Sequence, residues 1–232
     1  MKDFKKLDAS EIFYGRRRSR SLGISKDFFI QNYLPCLEID LNVPPRVPFE
    51  AFFGSDINQV RLEIGFGRGE NLLHRALLMP HSGFIGVEPF MMSMVKFIKN
   101  LQEKNINNIR VYNDNAVKLL DWLPNTSIDD IYLLYPDPWP KKRHWKRRFI
   151  SEINLNRFSR VLKPGGVFYF VSDVESYINW TLLAFCNHLS FQWLAEESLD
   201  WSRPFPNWTS TYYEAKGKLS GRTPTYLAFQ RV

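Results

Sequence analysis

Cysteine is scarce: Cys36 and Cys186 are the only two in 232 residues. One pair is no disulfide framework, and neither sits with histidines at a zinc-ligand spacing. His74, His81, His144 and His188 are scattered, so no metal site is expected. No run of about 18 apolar residues occurs, which excludes a membrane-crossing helix. The first residues, Met1-Lys-Asp-Phe-Lys-Lys6, lack the apolar stretch of a secretory signal. A cytoplasmic location is expected, with no membrane partner. Internal repeats and low-complexity tracts are also missing. What is present is enough apolar material, 44% hydrophobic and 16% aromatic residues, to bury a full core.

Charge of one sign is abundant, but only locally. The formal charge is +7, from 31 Lys and Arg against 24 Asp and Glu. Arg16, Arg17, Arg18 and Arg20 form one cluster, and Lys141, Lys142, Arg143, Lys146, Arg147 and Arg148 form another. The 31 less these ten leaves 21 basic against 24 acidic residues, a mildly acidic body. Concentrated positive charge is the footprint of a polyanion partner. The plainer alternative for either cluster alone is a solvated loop or tail.

Residues 1–20 read as a flexible basic arm. Residues 21–59 read as a lead-in, with a helix around Lys26–Leu34 and then a stretch containing Pro44, Pro45 and Pro48. From residue 60 to 232 strands and helices alternate. Strands are expected at Val60–Ile64, Gly83–Val87, Ile109–Tyr112, Ile128–Leu134 and Val167–Val171. Helices are expected at Glu70–Met79, Phe90–Lys104, Ala116–Leu123, Arg148–Leu162 and Val174–His188. Lys163-Pro-Gly-Gly166 reads as a turn, and Phe191–Glu197 with Pro224–Arg231 as a closing antiparallel pair. The fold class is therefore α/β: a doubly wound, Rossmann-like sheet, mostly parallel, with an antiparallel closing strand. Such sheets bind ligands beyond the carboxyl ends of their strands.

The residues that follow the strands carry chemistry. Glu63-Ile-Gly-Phe-Gly-Arg-Gly69 ends the first strand and opens a helix. Gly65 and Gly67 let the backbone turn tightly and approach a ligand. The spacing differs from the G-x-G-x-x-G of dinucleotide folds, so a pyrophosphate cradle is less favoured. Glu63 suits an ammonium better than a phosphate. S-adenosylmethionine carries an ammonium and a sulfonium and no phosphate. Glu88, after the second strand, can accept hydrogen bonds from both hydroxyls of a ribose. Asp114 and Asn115, after the third, are placed either to meet an adenine amino group or to cap the helix at Ala116–Leu123.

Asp137 follows the fourth strand in Tyr135-Pro-Asp-Pro-Trp-Pro140. Three prolines fix φ around the acid and stiffen the loop, which suits a reaction governed by orientation. Many enzymes that methylate exocyclic amines carry Asp/Asn-Pro-Pro-aromatic here; Asp-Pro-Trp-Pro is a different loop. Guanine N7 has a free lone pair, so no proton must leave before attack. Asp137 would then hold guanine N–H groups instead of acting as an obligate base. The basic run 141–148 can neutralise phosphates, and Trp139 and Trp145 are placed either to stack on an unpaired base or to pack in the core.

With these residues assembled, the chain resembles the bacterial tRNA (guanine-N7-)-methyltransferase family. The likeness covers Tyr14-Gly-Arg-Arg-Arg18, Glu63–Gly69, Gly86-Val-Glu88, Pro136-Asp-Pro-Trp-Pro-Lys-Lys-Arg-His144, Ser172-Asp173 and Thr211-Tyr-Tyr-Glu214. It implies methyl transfer from S-adenosylmethionine to N7 of the variable-loop guanine, position 46, of tRNA, by a monomer or homodimer. It implies that Glu63, Gly65, Gly67, Glu88, Asn115 and Asp137 line the cofactor site, with Asp137 also catalytic. It further implies substrate contacts at Lys141, Asp173, Thr211, Tyr212, Tyr213 and Glu214. RNA contacts are implied at Arg143, His144, Trp145, Lys146, Arg147 and Arg148. Two departures stand out. Asn115 replaces a frequent Asp, and Thr-Tyr-Tyr-Glu replaces a common Thr-Lys-Phe-Glu. Two rival readings keep the fold: methylation of another acceptor, an RNA exocyclic amine or a protein, and a non-catalytic RNA-binding module.

Overall fold

A computed structural model describes residues 14–15 and 24–232, with the side chains of 24–27 excluded. The expected arm 1–20 lies outside the described residues apart from Tyr14 and Gly15.

The lead-in helix expected at Lys26–Leu34 is two helices, α1 (Ile24–Asn32) and α2 (Leu34–Leu37), which meet at Tyr33. Pro35 sits in the first turn of α2, where its missing N–H costs nothing. The chain then joins the sheet edge, with Ile39 N–H donating to Val111 O at 2.8 Å. A 3₁₀ turn at Phe49–Phe52 buries Phe49 in the main core.

Seven strands form one sheet: β1 (Gln59–Ile64), β2 (Ser82–Val87), β3 (Ile109–Tyr112), β4 (Ile128–Leu134), β5 (Leu162–Ser172), β6 (Phe191–Trp193) and β7 (Thr225–Arg231). Their spatial order is β3-β2-β1-β4-β5-β7-β6, with β1 to β5 parallel and β7 antiparallel to both of its neighbours. The chain winds outward through β2 and β3, then crosses back to β4. The switch between β1 and β4 opens the crevice where such sheets bind ligands.

Period-two alternation sends successive side chains to opposite faces. Leu62, Ile64, Ile85, Val87, Ile131, Leu133, Phe168 and Phe170 pack in the large cluster with α5 (Ala116–Trp122), α6 (Glu152–Val161) and α7 (Glu175–Cys186). Phe84, Ile109 and Val111 pack with α3 (Glu70–Leu78) and α4 (Met91–Glu103). Two further helices, α8 (Leu199–Ser202) and α9 (Tyr212–Leu219), precede β7. Among the described residues no helix is long and apolar enough to cross a membrane.

Three expected boundaries move for physical reasons. The helix expected from Arg148 begins at Glu152, because Ser151 caps it, its Oγ accepting from Asn154 N–H. Lys163-Pro-Gly-Gly166 is absorbed into β5 as an irregularity: Ile128 pairs with Leu162, Asp130 with Val167. The strand expected to reach Glu197 stops at Trp193.

Candidate active site

A cavity of about 660 Å³ opens beyond the carboxyl ends of β1, β2 and β4. Its floor is the glycine loop. Gly67 has φ 59°, and a Cβ there would lie 3.5 Å from the Tyr213 ring. Gly69 is the stricter requirement: φ is 78° and a Cβ would come within 2.2 Å of Phe97. The loop is pinned to β2 by Gly65 N–H donating to Val87 O at 2.7 Å.

Glu88 reaches under this loop. One carboxylate oxygen accepts from Gly67 N–H and the other from Phe90 N–H, both at 2.8 Å. A carboxylate offers about four acceptor positions, so each oxygen keeps one for a ligand hydroxyl. Burial pushes the Glu88 carboxyl up to about 7, against the pull of the Phe90 and Gly67 amides and helped by the charge of Asp137. Asn115 caps α5, its Oδ1 accepting from Val117 N–H at 3.1 Å, and also lines the cavity. Capping and cavity lining thus coincide in one residue. Asp114 turns to Lys118 at 2.5 Å. Ala116, Val117, Leu133 and Val87 add apolar wall.

Glu63 behaves differently from the expectation. It is 4% exposed and is absent from the cavity wall. Its place on β1 points it toward α3, where it accepts from Asn71 Nδ2 at 2.7 Å. Asn71 in turn accepts from Arg75. Burial pushes the Glu63 carboxyl up to about 7, opposed by Asn71 and by the charge of Arg75. The folded chain therefore holds this proton more tightly than the unfolded chain, which titrates near 4.5. Its contribution to stability is greatest below that value and is lost as pH rises through about 7. Glu63→Gln keeps an acceptor for Asn71 and removes the charge. It should flatten that decline and raise the melting temperature at pH 8 by several degrees, for a gain of up to about 3 kcal/mol. An unchanged pH profile in thermal melts would refute this account.

The loop after β4 is held in a strained shape. Tyr135 and Trp139 have φ of 50° and 44°, a region that bulky residues rarely adopt. Tyr135 N–H donates to Val171 O at 2.8 Å, and Arg148 Nε donates to Pro138 O at 2.9 Å. Between these anchors Asp137 opens into the cavity mouth. Its surface is exposed there, yet the walls exclude enough water to push its carboxyl above the ordinary range. Among the described residues it has no hydrogen-bond or ion-pair partner. Tyr14 and Gly15 join this rim, with Tyr14 edge-on to Trp139 at 6.3 Å.

The basic run divides. Lys141 and Lys142 are exposed, and a 3₁₀ turn at Lys142–Arg147 follows. Lys146 and Arg147 line the cavity, with the Arg147 guanidinium 5.0 Å from the Tyr14 ring centre and 4.9 Å from that of Trp139. Arg143 Nε donates to His144 Nε2 at 3.3 Å. Desolvation and the charges of Arg147, Arg143, Lys141 and Lys146 hold the His144 pKa below its usual value. Trp145 packs on Trp180 and under Arg148, so it is a structural ring, whereas Trp139 faces the cavity.

Arg148, expected to contact RNA, lines the cavity from its buried side. It is 4% exposed, and its guanidinium bonds Pro138 O, Ser176 O and Ser176 Oγ at 2.8–2.9 Å. It ties the Asp137 loop to α7. The Thr211–Glu214 stretch also divides. Thr211 caps α9, its Oγ1 accepting from Glu214 N–H. Glu214, 1% exposed, accepts from Trp208, Lys218 and Tyr226. Both tyrosines are exposed, and of the four only Tyr213 lines the cavity. Asp173 does not cap α7; it pairs with Arg222 at 2.7 Å beside Gly217.

Residues 58–227 match the protein family described as "Putative methyltransferase". A tRNA (guanine-N(7)-)-methyltransferase of Rhizobium meliloti (strain 1021) is 52% identical over 97% of this chain and 97% of its own. One of Agrobacterium fabrum is 52% identical over the whole of both chains. The chain belongs to the tRNA (guanine-N(7)-)-methyltransferase family. Solved structures of an antibiotic-related methyltransferase and of the 16S rRNA methyltransferase KamB share the fold, each with a TM-score of 0.54. They are 15% and 14% identical, covering 82% and 80% of this chain and 96% and 94% of theirs.

Within this family member, sequence reasoning missed three groups. Ser151, Ile153 and Asn154 line the cavity from the start of α6. Pro89, Phe90 and Ser93 line it from the start of α4. Arg222 completes the Asp173 pair. The rule that sites gather after strands could have found the first two, since both stretches begin helices beside the cavity.

Proposed function

We propose that this chain transfers a methyl group from S-adenosylmethionine to N7 of the variable-loop guanine, position 46, of tRNA. The observation that carries the reading is the Asp137 carboxylate, without a hydrogen-bond or ion-pair partner among the described residues, opening into the same cavity as Glu88, with Lys146 and Arg147 on its rim. The cavity suits the donor. Its size falls in the range of small-molecule sites. Its facing acids, Glu88 and Asp137, favour a cationic ligand over a pyrophosphate. Glu88 has acceptor positions for a ribose, and Ala116, Val117 and Leu133 offer apolar surface to an adenine.

S-adenosylmethionine supplies the methyl group as an electrophilic carbon on sulfur. The guanine N7 lone pair attacks that carbon in line, the C–S bond breaks, and its electron pair goes to sulfur. No proton leaves N7. The product purine gains positive charge, which a carboxylate beside it stabilises. Asp137 therefore acts by accepting hydrogen bonds from the guanine N–H groups and by its charge. Trp139 offers a ring face to the base, which must leave its stack to enter. The exposed Lys141, Lys142, Arg143 and Lys146 take the adjoining phosphates.

The test is methylation of a tRNA transcript with labelled donor, followed by borohydride and aniline. Strand cleavage at the variable-loop guanine is expected, and replacing that guanine by adenine should abolish labelling. Labelled RNA that resists aniline would overturn the N7 assignment in favour of another acceptor.

A further inference from the structure

A second concave surface, of about 490 Å³, lies between α3 and α4. Arg68, Lys96, Lys99 and Lys104 line it, and Glu70 is its only acidic side chain. Leu73 and Leu77 form its apolar floor. Among the described residues, none of the three lysines has an ion-pair partner, and all are exposed. Lys96, Asn100 and Lys104 fall at i, i+4 and i+8, which puts them in one ridge of about 12 Å. Lys99 flanks it. Four basic side chains against the single Glu70 leave the groove net positive, although the exposed Glu103 lies four residues beyond Lys99 on α4.

The groove adjoins the active site along the glycine loop. Arg68 stands between Gly67, on the cavity floor, and Gly69. Its guanidinium lies 3.6 Å from the centre of the Tyr212 ring, next to the cavity-lining Tyr213. In the sheet order this groove belongs to the β1–β2–β3 half, while residues 141–148 follow β4. The two basic surfaces flank the cavity on opposite sides.

We infer that the α3–α4 groove is a second phosphate-binding surface, which takes the tRNA backbone on the flank opposite residues 141–148. This inference rests on tRNA being the substrate. The ridge is long enough to follow more than one phosphate. A guanine drawn into the central cavity would then be held by backbone contacts on both sides, fixing its approach to the methyl carbon as well as its affinity.

The test is tRNA binding across a salt series with the variant Lys96→Gln/Lys99→Gln/Lys104→Gln. Each phosphate contact contributes about 0.7–0.9 to the slope of log affinity against log salt. The triple variant should therefore lose about two units of slope and bind tRNA about tenfold or more weakly. Its KM for tRNA should rise, while kcat, S-adenosylhomocysteine affinity and melting temperature hold. Asn187→Glu/Leu189→Glu/Gln192→Glu, on exposed positions at the β6 edge, changes net charge by the same three units and should keep the wild-type slope. A wild-type slope in the lysine variant, or an equal loss in the β6-edge variant, would overturn the inference. Wild-type protein that binds tRNA without forming N7-methylguanine would sink the reaction assignment, and the slope would still decide the groove. Wild-type protein that does not bind tRNA would sink both.

Discussion

Asp137→Ala is expected to lower kcat for tRNA methylation by about 10²–10³ or more, the loss typical of removing one preorganised electrostatic group. S-adenosylhomocysteine and tRNA affinities should change far less. Three observations set the size of this effect. The carboxylate has no partner among the described residues, so its removal frees no buried donor and should leave the fold intact. It sits on a loop whose strained residues, Tyr135 and Trp139, are fixed by Val171 and Arg148. It opens beside Glu88, whose raised pKa already records its charge. Asp137→Asn keeps an acceptor and loses the charge, so it should retain more activity than alanine. The pH profile separates charge from geometry. Burial holds the Asp137 carboxyl above its ordinary range, so activity should fall as pH drops through that raised value. The asparagine variant should lack this acid limb. Near-normal turnover in Asp137→Ala would remove the residue from the mechanism.

The α/β order, the mostly parallel sheet and the crevice were legible because each strand is a short apolar run closed by a polar or glycine-rich loop. The gathering of Glu88, Asn115 and Asp137 at one cavity was legible for the same reason: each follows a strand, and topology brings such positions together. What was not legible depends on direction. Glu63 and Ile64 are neighbours on β1, but Ile64 lines the cavity while Glu63 faces α3 and Asn71. Thr211 and Glu214 carry a cap-and-carboxylate spacing, yet their side chains organise α9 and the Trp208–Tyr226 packing. The lysines on α4 and at its C-cap escaped notice because only a helix brings residues 96, 99 and 104 together. Net charge counted along the chain hides a patch that forms only in three dimensions.

Arg148 separates the two kinds of information most sharply, because it ends a basic run and yet is buried. Arg148→Ala should destabilise the protein by about 3–5 kcal/mol, since it strands the carbonyl of Pro138, removes the donor to Ser176 O and Oγ, and empties the space between Trp145 and Tyr177. For a chain of this size that corresponds to a fall of roughly 8–15 °C in melting temperature. Loss of the Pro138 tether also frees the loop that aims Asp137, and a misplacement of about 1 Å can cost 10²-fold in rate. The effect should therefore appear in kcat. Arg148→Lys should not rescue it, because a single ammonium cannot span Pro138 O, Ser176 O and Ser176 Oγ as the planar fork does. Lys142→Gln, by contrast, removes an exposed charge and should raise the KM for tRNA and shallow the salt slope by about 0.7–0.9, with kcat and melting temperature held. If Arg148→Ala behaved like Lys142→Gln, Arg148 would be a phosphate contact, as its place in the basic run suggests, and the tether between the Asp137 loop and α7 would have to be found elsewhere.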